Sequence, residues 1–332
     1  MTPTRVRTPA DDRPDRDLRR AGGGVTTVEV PPAAAGQRLD NFLQGRLRHL
    51  PRSLIYRLVR TGQVRVNGGR AKPLTRLKAG DQVRLPPAPG GERGAPRRVP
   101  PGLVATLQAA IVQRDARQVV IDKPAGLAVH SGSGLDFGAI DALREMFPGR
   151  DVQLAHRLDR ATSGLLLVTL DREALRTQHR ALAAGRIGKY YLALLHGRLP
   201  EDKVTVDLPL GRDVAERRER RMAVSSDGKP ARTEFRRLLD VVGYTLVECR
   251  ILSGRTHQIR AHAAHLGLPL AGDERYAPEA ALAGDRALGL HRLFLHAHRL
   301  DLDWPEPCTL SSPLPAELAA FVERLERRDH AC

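Results

Sequence analysis

Cysteine is scarce in this 332-residue chain: three residues, Cys249, Cys308 and Cys332, far apart and with no CxxC pair. Neither a disulfide framework nor a zinc ribbon is supported, and a cytoplasmic protein with free thiols is expected. Long apolar runs are missing as well. No segment approaches the ~20 apolar residues of a membrane span, so no membrane association is expected. Residues 1–25 mix Arg with Asp and lack the apolar stretch of a secretory signal or the acid-poor composition of a transit peptide. There is no GxxxxGK[ST] phosphate loop and no HExxH pair, and Gly132-Ser133-Gly134 is too short for a dinucleotide fingerprint. The twelve His are scattered, which argues against a His-based metal cluster. No site for a metal, flavin or nucleotide cofactor is found in the sequence.

Acidic residues are also in deficit, 38 against 54 Lys and Arg, for a formal net charge of +16. The excess is concentrated. From Gly36 to Pro86 there are 12 basic residues against two acids, Asp40 and Asp81. A basic patch on one folded module favours a polyanion, most often nucleic acid. A solvated, solubilising face is the competing explanation.

The length suggests about two or three domains. Residues 1–25 are charged, contain Gly22-Gly23-Gly24 and read as a disordered tail. Residues 26–86 read as a small domain. Leu39, Phe42, Leu43 and Leu47 share one helical face, and Leu54, Ile55, Leu58 and Val59 mark a second helix. Val64 and Val66 alternate with polar residues as in a strand, Gly68-Gly69 reads as a turn, and Val83 and Leu85 mark another strand. Residues 87–102 are Pro/Gly-rich and read as a linker. A second domain spans about residues 103–328. Strands are expected at Val119–Ile121, Leu165–Val168, Lys189–Leu195, Thr233–Leu239 and Tyr244–Ile251. Helices are expected at Arg172–Leu182 and Ala316–Arg327. Helices do not regularly separate the strands, so an α+β domain on a mainly antiparallel sheet is expected.

The richest polar segment is His156-Arg157-Leu158-Asp159-Arg160-Ala161-Thr162-Ser163-Gly164, directly before an apolar strand. Asp159 sits there among Arg, Thr and Ser, at the border of a core. Guanidinium and hydroxyl donors can hold such a carboxylate ionised as nucleophile or base. A structural Asp satisfying a turn is equally open on this segment alone. A glycosidase would need a second carboxylate. Asp171 reads as a helix cap and Asp273 as part of a Gly-Asp turn.

HRLDRATSG resembles the signature of the RluA-type pseudouridine synthases. So do IDKPAGLAVHSGSG at 121–134, Lys189-Tyr190-Tyr191-Leu192-Ala193, Gly254-Arg255-Thr256-His257-Gln258-Ile259-Arg260, LAGDERY at 270–276 and RLFLHA at 292–297. The basic N-terminal module resembles an S4 RNA-binding domain. Together these segments cover about residues 36–328, in the family's order. The resemblance implies a cofactor-free isomerase that detaches uracil from the ribose and rejoins it through C5. Asp159 matches the family's essential Asp, which attacks C1′ or removes a sugar proton. Arg260 matches the Arg that pairs with it, with backbone binding as the alternative. Tyr191 matches the ring that stacks on the target base, with core packing as the alternative; its neighbour Tyr190 would face the other side of a strand. Arg157 matches the position that fills the gap left by an extruded base. Arg255 and His257 read as loop-shaping or phosphate contacts. Arg46, Arg52, Arg57, Arg60, Arg65 and Lys72 are the expected RNA contacts of the S4-like module. Several segments are most similar to the subfamily that modifies large-subunit ribosomal RNA, which makes 23S rRNA or its precursor particle the expected partner. A monomer is expected. The alternatives are a synthase for tRNA or another rRNA helix, and a non-catalytic ribosome-assembly protein.

Overall fold

The computed structural model describes residues 25–47, 50, 52–86, 99–131, 137–213, 221–303 and 305–329. All but the last residue of the tail expected over 1–25, and most of the linker expected over 87–102, lie outside them. The chain divides into two compact units, one up to Arg97 and one from Arg98.

In the first unit, strand β1 (Thr26–Glu29) precedes helices α1 (Leu39–Arg46) and α2 (Arg52–Arg60). Short strands β2 (Arg65–Val66) and β3 (Gly69–Arg70) and strand β4 (Gln82–Leu85) follow, in the sheet order β1-β4-β2-β3. The helical periodicity is realised: Leu39, Phe42, Leu43, Ile55, Leu58 and Val59 are buried with Val64, Leu77, Val83 and Leu85 in one core. The hairpin turn falls one residue earlier than the sequence suggests. Asn67 (φ 49°) and Gly68 (φ 78°) form it, while Gly69 already pairs with Val66. Two positive φ values match the right-handed twist of the flanking strands, and Asn-Gly supplies both at little cost.

The second unit opens with helix α3 (Pro101–Ala109), which takes up the last two residues of the expected linker. Its strands are β5 (Ile111–Arg114), β6 (Gln118–Lys123), β7 (Gln153–Leu154), β8 (Ser163–Thr169), β9 (Gly188–His196), β10 (Lys203–Asp207), β11 (Leu210–Arg212), β12 (Met222–Val224), β13 (Arg232–Val241), β14 (Tyr244–Ile251), β15 (Leu295–Leu302) and β16 (Cys308–Ser311). The helices are α4 (Ala139–Met146), α5 (Arg172–Ala183), α6 (Gln258–His265), α7 (Glu279–Ala287) and α8 (Ala316–Asp329).

Ten strands form one sheet, ordered β10-β13-β14-β9-β15-β8-β6-β5, with β16 on β15 and β7 on β8. Among the described pairings only β8 with β15 is parallel. The α+β, mainly antiparallel expectation holds. Strand β15 is the seam: β9 runs along one edge and β8 along the other.

Strand β8 is buried on both faces, which explains its unbroken apolar run. Leu166 and Val168 enter one core with Tyr191, Ala193, Val247, Ile259 and Ala263. Leu165 and Leu167 enter the other with Val120, Ala181, Ile187 and Leu300. Burying each such side chain contributes on the order of 1.5–3 kcal/mol, so the loop ahead of β8 is rigidly anchored. At Gly164 (φ 110°) a side chain would place its Cβ 2.3 Å from the Ala297 carbonyl oxygen on β15. Only Gly permits that approach of two backbones.

Candidate active site

The seam carries a cavity of about 500 Å³. Both halves of the sheet contribute to it. Asp159 comes from the loop between β7 and β8, Lys189 and Tyr191 from β9, Arg255 and His257 from the segment between β14 and α6, and Arg260 from α6.

Asp159 is presented on a tight turn. Its carbonyl oxygen accepts from the Thr162 amide at 3.1 Å, while Leu158 is buried beneath. The next residue is tied to the Lys123-Pro124-Ala125-Gly126 segment: Gly126 N–H donates to the Arg160 carbonyl, and Arg160 Nε donates back to the Gly126 carbonyl at 2.9 Å. Lys123 is fully buried, and its Nζ donates to the carbonyls of Pro124 and Leu127, and to Arg160 at 3.4 Å. The 121–131 segment is thus the back wall of the Asp159 loop. Its continuation over 132–134 lies outside the described residues.

Arg260 reaches the Asp159 carboxylate with Nη1 at 3.7 Å. Its tight partner is another acid. Nε and Nη2 donate to the two Asp273 oxygens at 2.7 and 2.5 Å, and Asp273 is 1 % exposed. Asp273 lies in the expected turn, where its carbonyl accepts from the Tyr276 and Ala277 amides. The turn reading missed its second task, holding Arg260. Asp171 is the helix cap the sequence suggests, accepting from the Ala174 amide at 2.7 Å.

His257 precedes α6 in the left-handed conformation (φ 52°), an uncommon place for a non-Gly side chain. Its Nε2 lies 3.8 Å from Asp159 and its Nδ1 3.2 Å from the Tyr276 hydroxyl. Burial lowers its pKa to about 4, with Arg260 and Arg275 acting in the same direction and Asp159 opposing. His257 is therefore neutral at physiological pH. Gln258 stitches the loop. Its Oε1 accepts from Ser253 Oγ and the Arg255 amide, and its Nε2 donates to the Arg232 carbonyl and Thr233 Oγ1.

Tyr191 and Tyr190 separate as a strand requires. Tyr191 is 5 % exposed and lines the cavity. Tyr190 instead has the Arg299 guanidinium 3.7 Å from its ring centre. Burial, with the negative charge of Asp159, raises the Tyr191 phenol well above its ordinary pKa. Arg157 is exposed at the rim, while Arg255 is half-buried and donates Nε to the Pro230 carbonyl.

Among the described residues, no group of three or more His, Cys, Asp or Glu is placed to hold a metal ion, and no helix is long and apolar enough to cross a membrane. In the first unit, Tyr56, Arg57, Arg60, Arg70 and Lys72 line a second cleft of about 630 Å³. Arg57, Arg60 and Lys72 are exposed, as an RNA contact requires. Arg46 packs over the Phe42 ring at 4.8 Å, and Arg65 donates to the Gly68 carbonyl at 3.1 Å, so both are partly engaged by their own unit. The side chain of Arg52 lies outside the described residues.

The family model for RNA pseudouridylate synthase matches residues 117–265, and that for the S4 domain matches residues 37–83. The chain is 42 % identical over 312 residues to the ribosomal large subunit pseudouridine synthase C of Escherichia coli K12, covering 91 % of this chain and 97 % of the relative. The chain belongs to the RNA pseudouridylate synthase family. The synthase C of Yersinia pestis is 43 % identical to this synthase over 299 residues, covering 89 % of this chain and 93 % of the relative. The structure of human RNA pseudouridylate synthase domain containing 1 covers 70 % of this synthase and 98 % of itself, at 30 % identity and a TM-score of 0.55.

Proposed function

We propose that this synthase converts several uridines of large-subunit (23S) ribosomal RNA to pseudouridine without a cofactor. The observation that supports the chemistry is the convergence of Asp159, Tyr191 and Arg260 on one cavity. Asp159 is the catalytic carboxylate, acting at the ribose. Arg260, fixed by Asp273, orients it through a charged contact. Tyr191 is the platform for the uracil ring, and its hydroxyl, as a donor, assists the late proton step at C5. Arg157, at the exposed rim, fills the space left when the uridine leaves its stack.

The substrate follows from the relatives, which are named for the ribosomal large subunit and match nearly end to end. In this reading residues 26–86 form the S4 RNA-binding domain and residues 103–328 the catalytic domain, joined by a linker over 87–102. The cleft cations Arg57, Arg60 and Lys72 supply sequence-independent phosphate contacts. The synthase works as a cytoplasmic monomer.

Tritium release from RNA labelled at uracil C5, with no metal or nucleotide added, tests this reading. Wild type should release tritium from 23S rRNA or its precursor particle, and Asp159→Asn should release none while still binding the RNA. Release from tRNA alone would overturn the substrate assignment. Wild-type rates in Asp159→Asn would overturn the role of Asp159.

A further inference from the structure

The reaction assigns no task to Lys189, yet this lysine is placed like a functional group. It is 7 % exposed and lines the cavity on the same face of β9 as Tyr191, two residues away. That spacing separates the two side chains by roughly 7 Å along the strand, about the width of a pyrimidine. Its Nζ donates to the Ser253 carbonyl at 3.2 Å. An ammonium carries three donors, so two remain. No carboxylate among the described residues forms an ion pair with it. A buried cation without a counter-ion is costly, and its retention needs a compensating partner.

The lining as a whole calls for negative charge. Arg157, Lys189, Arg255 and Arg260 line the cavity with a single carboxylate, Asp159, and even with Arg260 balanced by Asp273 behind the wall the cations are in excess. Breaking the C1′–N1 bond produces such charge. The electron pair of that bond stays with the base, giving a uracilate whose charge is shared by N1 and the two carbonyl oxygens. C5 then bonds to C1′, and its proton is lost as N1 gains one, so the net change is an isomerisation.

We propose that Lys189 is a further catalytic group, donating to a carbonyl oxygen of the target uracil and stabilising the charge the base acquires as the C1′–N1 bond breaks. This rests on the uridine-isomerase reading above. Lys189 gives up no proton; it acts as a fixed charge aimed where charge develops. The neighbouring titratable and charged groups are His156, Arg157 and Asp159 from the loop before β8, Tyr191 on its own strand, Arg255 and His257 after β14, and Arg260 on α6. Burial lowers the Lys189 pKa to about 8, and that of His156 to about 3. Lys189 is thus charged at neutral pH and discharges just above it.

Single-turnover tritium release from 23S transcript labelled at uracil C5, followed between pH 6.5 and 9, tests the assignment. Wild type should lose rate as pH rises through about 8. Lys189→Met should react about a hundredfold more slowly at pH 7, with unchanged RNA affinity. Lys189→Arg should recover part of the rate and move the alkaline limb upward. A wild-type rate in Lys189→Met overturns the proposal. So does a loss confined to RNA affinity, which would mark Lys189 as a phosphate contact. Should Lys189→Met lose its cooperative thermal transition, Lys189→Arg decides, and an unmoved alkaline limb overturns the proposal. Absence of release by wild type would instead overturn the functional reading, and this inference with it.

Discussion

Arg260 gives two nitrogens to Asp273 at 2.7 and 2.5 Å and turns the third towards Asp159, 3.7 Å away. The guanidinium is fixed by one acid and aims at another. Both Arg260 and Asp273 are nearly inaccessible to solvent, so neither charge tolerates loss of its partner. Asp273→Asn keeps the shape and removes the charge. The variant should be less stable by about 3 kcal/mol in urea titration and should turn over about tenfold or more slowly, with RNA affinity retained. Wild-type turnover in that variant would show that Arg260 needs no anchor to serve Asp159.

The adjacent tyrosines offer an internal control. Tyr191 faces the cavity, and Tyr190 faces Arg299 on the other side of β9. The buried Tyr191 phenol stays protonated, so it can donate but is a poor base. Tyr191→Phe should slow tritium release at least tenfold, with stability changed by less than about 1 kcal/mol. Tyr190→Phe should leave release unchanged. Equal rates for the two would reduce Tyr191 to its ring.

Gly164 tests the seam. Its φ of 110° and the 2.3 Å approach to the Ala297 oxygen leave no place for a methyl group. Gly164→Ala should lower the thermal midpoint by about 6–12 °C, on the order of 3 kcal/mol for a site of this kind. A midpoint within about 2 °C of wild type would mean that β8 and β15 can separate freely.

Lys123 makes stability depend on pH in an unusual direction. Burial, with the Arg292 charge, lowers its pKa to about 7, against an ordinary value of 10.5. Between those values the unfolded chain binds a proton that the folded chain lacks, so this residue's contribution rises with pH. The stability deficit of Lys123→Met relative to wild type should therefore widen from pH 7 to pH 8.5, by about 1–2 kcal/mol. Urea midpoints at the two values read it directly. A constant deficit would place the Lys123 pKa outside that window.

What could be read in the sequence was local. Asp159 and Tyr191 stand in compact motifs whose neighbours declare a loop and a strand, and both face the cavity. Strand β8 announced itself by an unbroken run of Leu and Val. The Arg260–Asp273 pair did not, because the Gly-Asp turn explains Asp273 without any reference to Arg260, 13 residues earlier. The placement of β15 between β9 and β8 was equally hidden. Strand order depends on contacts between distant residues, and an apolar segment such as Leu295–Ala297 fits any interior position. Lys189 was in view but unused, since its role depends on burial and on the lack of a partner acid.

The seam also sets the order in which the enzyme can come into being. Ser163 and His296 are hydrogen-bonded neighbours 133 residues apart in the chain. As the polypeptide leaves the ribosome, the basic first unit can complete its own core while the cavity does not yet exist. Until β15 has emerged, the edge of β8 that follows the Asp159 loop and the edge of β9 that carries Tyr191 have nothing to join them. The cavity is therefore complete only once β15 has emerged, because that one strand is what joins the two halves of the sheet.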